Sequence, residues 1–213
     1  MSRVQRELMC EIGRRIWTRG YCAGNEGNHT CRIGRNHILA TPTGASKGFL
    51  KPADLAVVDL QGKQISGRRK TTSEIGLHLA IYNARSDVGA VVHSHPPHAT
   101  AFAVNHMELP TGIHPEAEIF LGRVPTAAYV TPGDSRLGES ILPFVSSANT
   151  ILLQNHGVVT YARDLETAYY QLEIIDAYAR LLILARQLGT VQPLTAEQRA
   201  DLLPLKARFN PGR

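Results

Sequence analysis

The stretch Ala90-Val91-Val92-His93-Ser94-His95-Pro96-Pro97 limits what this chain can fold into more than any other. Its apolar start is the sequence of a buried strand, and the proline pair stops it. Alternate residues of a strand project to one face, so His93 and His95 point the same way at the strand's end. The chain must therefore build a sheet around this strand and open a pocket at its tip.

Other segments supply the rest of an α/β pattern. Val4, Leu8, Ile12 and Ile16 recur every fourth residue before Gly20, which predicts an amphipathic helix over 4–19. Segments 30–33 and 37–40 flank Gly34-Arg35-Asn36 as a hairpin, and 55–60 reads as a short strand. Ser73 stands where an N-cap would, ahead of a helix with Leu77, Ile81 and Tyr82. A short helix is expected over 99–104, and strands over 118–120, 127–130, 151–154 and 158–161. Asp164 caps a long helix closed by Gly189, and Thr195-x-x-Gln198 opens a last short one. Helices and strands alternate with no linker or repeat, so residues 1–213 read as a single α/β domain.

Bulk properties exclude several functions. An apolar fraction of 43% and a charged fraction of 19% belong to a globular chain. The apolar runs 88–92 and 181–185 fall far short of the roughly 20 residues that cross a bilayer. With no hydrophobic signal core at the start, the cytoplasm is the expected location and no membrane partner is expected. Cys10, Cys22 and Cys31 show no CxxC spacing and read as free thiols. The net charge of +5 comes from scattered arginines. Its one cluster, Arg68-Arg69-Lys70, reads as a solvated turn, so no nucleic-acid partner is expected. Solubility or a pocket for a small anion explains the bias equally well.

Taken alone, His93 and His95 read either as metal ligands or as histidines satisfied by local hydrogen bonds. His156 shifts the balance, because it too sits at a strand end, before Gly157. Three histidines with an open position are the ligand set of a catalytic metal site. Glu74 follows Thr72 and Ser73 at a helix start, where free N–H groups and partial positive charge suit a phosphate. That segment also reads as a plain cap with a first-turn glutamate.

Six segments in order resemble the class II aldolase/adducin-head family. They are Gly27-Asn28-x-Thr30-x-Arg32, Thr41-Pro42-Thr43-Gly44, Thr72-Ser73-Glu74, Val91-Val92-His93-Ser94-His95, Pro125-x-x-x-Tyr129 and Leu153-Gln154-Asn155-His156-Gly157. The resemblance implies a three-layer α/β/α fold with a central, largely antiparallel mixed sheet, assembled as a homotetramer with sites between subunits. It implies that His93, His95 and His156 ligate one Zn2+ per subunit, although other divalent first-row ions also suit imidazole. It makes Glu74 the catalytic acid/base and gives Asn28, Thr43, Gly44, Thr72 and Ser73 the phosphate of a small sugar-phosphate substrate.

The reaction so implied is retro-aldol cleavage of a short-chain sugar phosphate to dihydroxyacetone phosphate and an aldehyde. One departure opens alternatives. Where the aldolase pattern has a tyrosine after Ile113-His114, this chain has Pro115-Glu116. Glu116 and Glu118, read as one face of an extended segment, are candidates to replace that acid/base, or else a solvated edge. The same metal and glutamate also serve a sugar-phosphate dehydratase, a 4-epimerase or a decarboxylase. A non-catalytic adducin-like module is expected to have lost the histidines, and a metal-dependent hydrolase leaves the phosphate segments unexplained.

Overall fold

The computed structural model describes residues 3–209; the outermost residues of the expected 1–213 unit, 1–2 and 210–213, lie outside it. One eight-stranded sheet organises the described residues. Its strands are β1 (Asn28–Arg32), β2 (His37–Ala40), β3 (Ala56–Asp59), β4 (Gln64–Ser66), β5 (Ala90–Ser94), β6 (Thr126–Ala127), β7 (Thr150–Leu153) and β8 (Gly157–Ala162). Their order is β4-β3-β2-β1-β5-β8-β7-β6, and only the β6–β7 pair is parallel. The mixed, mostly antiparallel sheet is the expected one.

Successive residues of β5 serve opposite faces, as the pleat requires. Ala90 and Val92 join one core with Met9, Ile12, Phe102, Leu172 and Ile175, contributed by α1 (Arg3–Thr18), α3 (Pro97–Val104) and α6 (Leu165–Leu188). Val91 joins the other with Leu77, Ile81, Leu137 and Ile141, from α2 (Ile75–Ala84) and α5 (Arg136–Val145). Each fully buried Val, Leu or Ile in these cores contributes about 1.5–3 kcal/mol. With helices on both faces the layers run α/β/α. The expected Asp164 cap is present: its carboxylate accepts from Thr167 N–H at the head of α6.

Several local expectations are corrected. The expected strand over 118–120 is a helix, α4 (Pro115–Phe120). Pro115 fits the first helical turn, Glu116 and Glu118 suit the positive end of the dipole, and Ala117 and Ile119 turn inward. The strand expected over 127–130 pairs only at Thr126–Ala127. Helix α5 and edge strand β4 were not anticipated. The last expected helix is two, α7 (Ala196–Asp201) and α8 (Leu203–Phe209). Ser73 does not cap α2; Glu74 holds that position, and its side chain makes no capping hydrogen bond.

Candidate metal centre and active site

The antiparallel register gathers the site at the ends of three central strands of the sheet. Asn28 of β1 and Val159 of β8 both pair with His93, and Ser94 pairs with Val158. The end of β5 therefore lies beside the starts of β1 and β8, and His156 sits just before β8. Gly157 makes the approach possible, since a Cβ there would lie 2.5 Å from the His95 ring. Asn155 turns the chain with φ 53°, and its side-chain oxygen accepts from His106 Nε2 at 2.7 Å.

The three imidazoles converge as the sequence suggests. One ligand atom from each of His93, His95 and His156 lies within 4.8 Å of the others. His93 Nδ1 donates to the Val158 carbonyl at 2.9 Å, and His95 Nδ1 donates to Glu26 Oε2 at 2.9 Å. Both bonds put the ring's hydrogen on Nδ1, so the two Nε2 atoms carry lone pairs and face each other at 3.2 Å. Facing lone pairs repel unless a cation lies between them. Glu74 adds its carboxylate, with Oε2 3.4 Å from His93 Nε2 and Oε1 3.4 Å from His156 Nε2.

A tetrahedral ion with bonds near 2.1 Å spaces its ligand atoms about 3.4 Å apart, so these residues fit a divalent metal. Burial, followed by the neighbouring His95 and His156 rings, holds the His93 pKa well below its ordinary value. Burial lowers His156 as well, against the field of Glu74. Both rings are thereby kept neutral, the form that ligates.

Glu74 is held by a buried chain of hydrogen bonds. Asn28 Nδ2 donates to Glu74 Oε2 at 2.7 Å, and Asn28 Oδ1 accepts from His78 Nε2 at 2.5 Å. His78 Nδ1 must then accept from Thr30 Oγ1, 2.9 Å away, and Thr30 is 2.9 Å from the Tyr82 hydroxyl. Burial drives the His78 pKa down to about 3, so this ring stays neutral and keeps its tautomer. Glu74 Oε1, by contrast, is buried with no hydrogen-bond partner among the described residues.

A cavity of about 290 Å3 opens beside the carboxylate. Its lining includes Asn28, Thr43, Gly44, Thr72, Ser73, Glu74, His95 and His156, so the structure brings these suggested residues together. Thr43 N–H is spent on the Lys70 carbonyl, and Thr72 Oγ1 accepts from Glu74 N–H. Asn28 uses both ends of its amide, although Nδ2 keeps a second hydrogen.

Glu116 and Glu118 do not line this cavity. Glu118 accepts from Gly112 N–H at 2.8 Å and lies 3.9 and 3.8 Å from Arg199 and Lys206. Glu116 lies 3.3 Å from His114 with its side chain 61% exposed. Sequence reasoning missed Glu26 and His78. Carboxylates behind ligating histidines are common, but Glu26 and His95 lie far apart in sequence, and nothing local links them. His78 does have a signal, one helical turn after Glu74 on the same helix. His98 is bonded to Asp176, a packing role.

Fold and site together define an α/β protein with a three-histidine group that could hold a metal ion, and comparison with known proteins places it in a family. The model of the Class II Aldolase and Adducin N-terminal domain matches residues 7–183, and the chain belongs to this family. It is 39% identical over 168 residues to an L-fuculose phosphate aldolase of Methanococcus maripaludis, covering 78% of this chain and 89% of that one. It is 33% identical over 201 residues to a 3-oxo-tetronate 4-phosphate decarboxylase of Pectobacterium atrosepticum, covering 92% and 91%. Among solved structures, YgbL of Escherichia coli, described as a putative aldolase/epimerase/decarboxylase, superposes with TM-score 0.86 at 31% identity, covering 93% of this chain and 97% of that one.

Proposed function

We propose that this protein is a metal-dependent lyase that breaks the C3–C4 bond of a short-chain sugar phosphate by retro-aldol cleavage. Its products are dihydroxyacetone phosphate and an aldehyde. The observation that carries the reading is Glu74, whose two carboxylate oxygens lie 3.4 Å from the Nε2 atoms of His93 and His156. The same cavity is lined by Thr43, Gly44, Thr72 and Ser73.

His93, His95 and His156 hold the metal, with Zn2+ the ion their number and type suit best. A divalent ion there supplies Lewis-acid stabilisation for the negative charge that develops on the ketone half. Glu74 is the acid/base: Oε2 is pinned by Asn28, which leaves Oε1 to deliver a proton to C3 once the C3–C4 bond has broken, balancing the proton that the C4 hydroxyl gives up to solvent as it becomes the aldehyde. In the condensation direction it removes the same proton. Thr43, Gly44, Thr72 and Ser73 anchor the substrate phosphate, and Asn28 has one hydrogen left for it. The family resemblance supports a cytoplasmic homotetramer with its sites between subunits.

A second reading has its own support. Where the aldolase pattern has a tyrosine after Ile113-His114 this chain has Pro115-Glu116, so the phenol that would exchange a proton with the aldehyde oxygen is missing from that position. Loss of carbon dioxide from a 3-oxo-acid phosphate leaves the same charge on the ketone half and needs no such group. The similarity to a 3-oxo-tetronate 4-phosphate decarboxylase fits this alternative.

One assay separates the two. Zinc-loaded protein is given a panel of ketose phosphates and 3-oxo-acid phosphates, and dihydroxyacetone phosphate and carbon dioxide are measured. Dihydroxyacetone phosphate release is expected; carbon dioxide alone transfers the assignment to the second reading. Metal analysis of the purified protein is the companion measurement. A well-folded sample that takes up no divalent ion would overturn both and revive a non-catalytic module.

A further inference from the structure

Thr43, Gly44, Thr72 and Ser73 offer hydroxyl and N–H donors to an anion but no charge. One cation borders the same cavity. Lys47 is among its lining residues, and its side chain is only 2% exposed, which is rare for lysine. It opens a single 3-10 turn, Lys47–Phe49, that lies tight against α1. A Cβ on Gly13 would sit 2.5 Å from the Lys47 carbonyl, so the backbone here has little room to move.

Lys47 Nζ donates to the Asn25 carbonyl at 2.7 Å and to the Ala45 carbonyl at 2.5 Å. It thereby ties the loop before β1 to the Thr43-Gly44 turn. An ammonium has three N–H groups, so one remains. No carboxylate of the described residues lies within ion-pair distance of it. Burial lowers its pKa, and the fields of Cys22, Glu26 and Glu74 oppose that shift without cancelling it. A buried charge answered by carbonyl dipoles alone is incomplete. What is missing is an anion, and the N–H groups of Gly44 and Ser73, which have no acceptor among the described residues, mark a place for one on the same cavity.

We propose that Lys47 is the charged member of the phosphate pocket, with its ammonium the counter-ion of a phosphate monoester dianion. The neutral donors fix where the phosphate lies, and Lys47 makes the pocket favour a doubly charged group over an uncharged sugar hydroxyl. The assignment rests on the sugar-phosphate reading of the site, so its test must separate the two.

Glycerol 3-phosphate is titrated calorimetrically into the zinc-loaded full chain and its K47M and K47R variants. K47M is expected to bind at least tenfold more weakly, with a flatter dependence on salt, and K47R to stay within about threefold of the native chain. Zinc content should be retained in both variants and the melting temperature without ligand in K47R, whereas K47M is expected to melt lower because the Asn25 and Ala45 carbonyls lose their donor. Where K47M does not fold, K47Q, whose amide still donates to a carbonyl, is read in the same way. Unchanged binding in K47M or K47Q overturns the Lys47 assignment alone. So does K47R binding as weakly as K47M, which would show that side-chain shape rather than charge is needed. D-glycerate is titrated alongside, and a K47M variant that loses it but keeps glycerol 3-phosphate also overturns the assignment, since the partner would then be a carboxylate. A native chain that does not bind glycerol 3-phosphate at all sinks the phosphate pocket itself.

Discussion

Glu74 at the start of α2 and Glu118 in the first turn of α4 occupy similar places in their helices, where negative charge is favoured. Their surroundings separate them. Glu118 accepts from Gly112 N–H and faces Arg199 and Lys206. Glu74 takes one hydrogen bond from Asn28, makes no capping bond to its own helix and leaves Oε1 buried without a hydrogen bond, 3.4 Å from His156 Nε2. Leaving a buried acceptor unpaired costs about 1–3 kcal/mol. An acid whose neighbours satisfy it holds structure, whereas an acid kept short of a partner is one that chemistry can use. Helix position alone does not distinguish them; partners distant in the sequence do.

Glu74→Gln should show the larger effect. Removing a general acid/base costs 10²–10⁴-fold in rate, so about a thousandfold loss of kcat is expected with melting temperature little changed. Comparable loss in Glu118→Gln would erase the distinction. Next comes Glu26→Ala. The Glu26 carboxylate holds His95 Nδ1–H, and loss of a partner of that kind weakens metal binding about 10–100-fold. Competition with a chelator reads this directly, and an unchanged zinc affinity would remove Glu26 from the centre.

The same contrast explains what the sequence could reveal. His93 and His95 were legible because strand period and the proline stop are local, and His156 because it precedes a glycine after an apolar strand. The sheet's mixed, mostly antiparallel layout and the gathering of Asn28, Thr43, Gly44, Thr72 and Ser73 at one cavity follow the family resemblance, not periodicity. Segment 106–150 was misread although signals were present. Pro115 followed by two acids is a helix start, and Leu137, Ile141 and Val145 repeat every fourth residue on α5. Gly138 and Pro143 obscured that repeat. Glu26 and Lys47 lay beyond reach because their roles depend on chain crossings that no local pattern encodes, whereas His78 had a local signal in its place one helical turn after Glu74.

His78 sharpens the comparison at a smaller scale. Its Nε2–H fixes the Asn28 amide so that nitrogen rather than oxygen meets Glu74. His78→Leu frees that amide to flip and is expected to lower kcat about tenfold, with KM for the sugar phosphate changed less. His78→Gln, which restores an N–H donor, should recover part of the loss. Equal damage in both variants, confined to melting temperature, would make the ring a packing residue only.

The smallest effect is expected at α4 and is the most direct check on Glu118. Its side chain is 13% exposed, accepts from Gly112 N–H and meets Arg199 of α7 and Lys206 of α8. Glu118→Ala removes that acceptor and leaves two cations facing each other. Ion pairs this long contribute little, so most of the cost is the orphaned Gly112 N–H, about 1–2 kcal/mol. Faster amide exchange should appear in α7 and α8, because Glu118 is the acid that both helices face. Turnover of the sugar phosphate should stay within about twofold of the native chain. A large fall in kcat with native stability would place this carboxylate at the reacting atoms after all, and the two helix starts would then share one task.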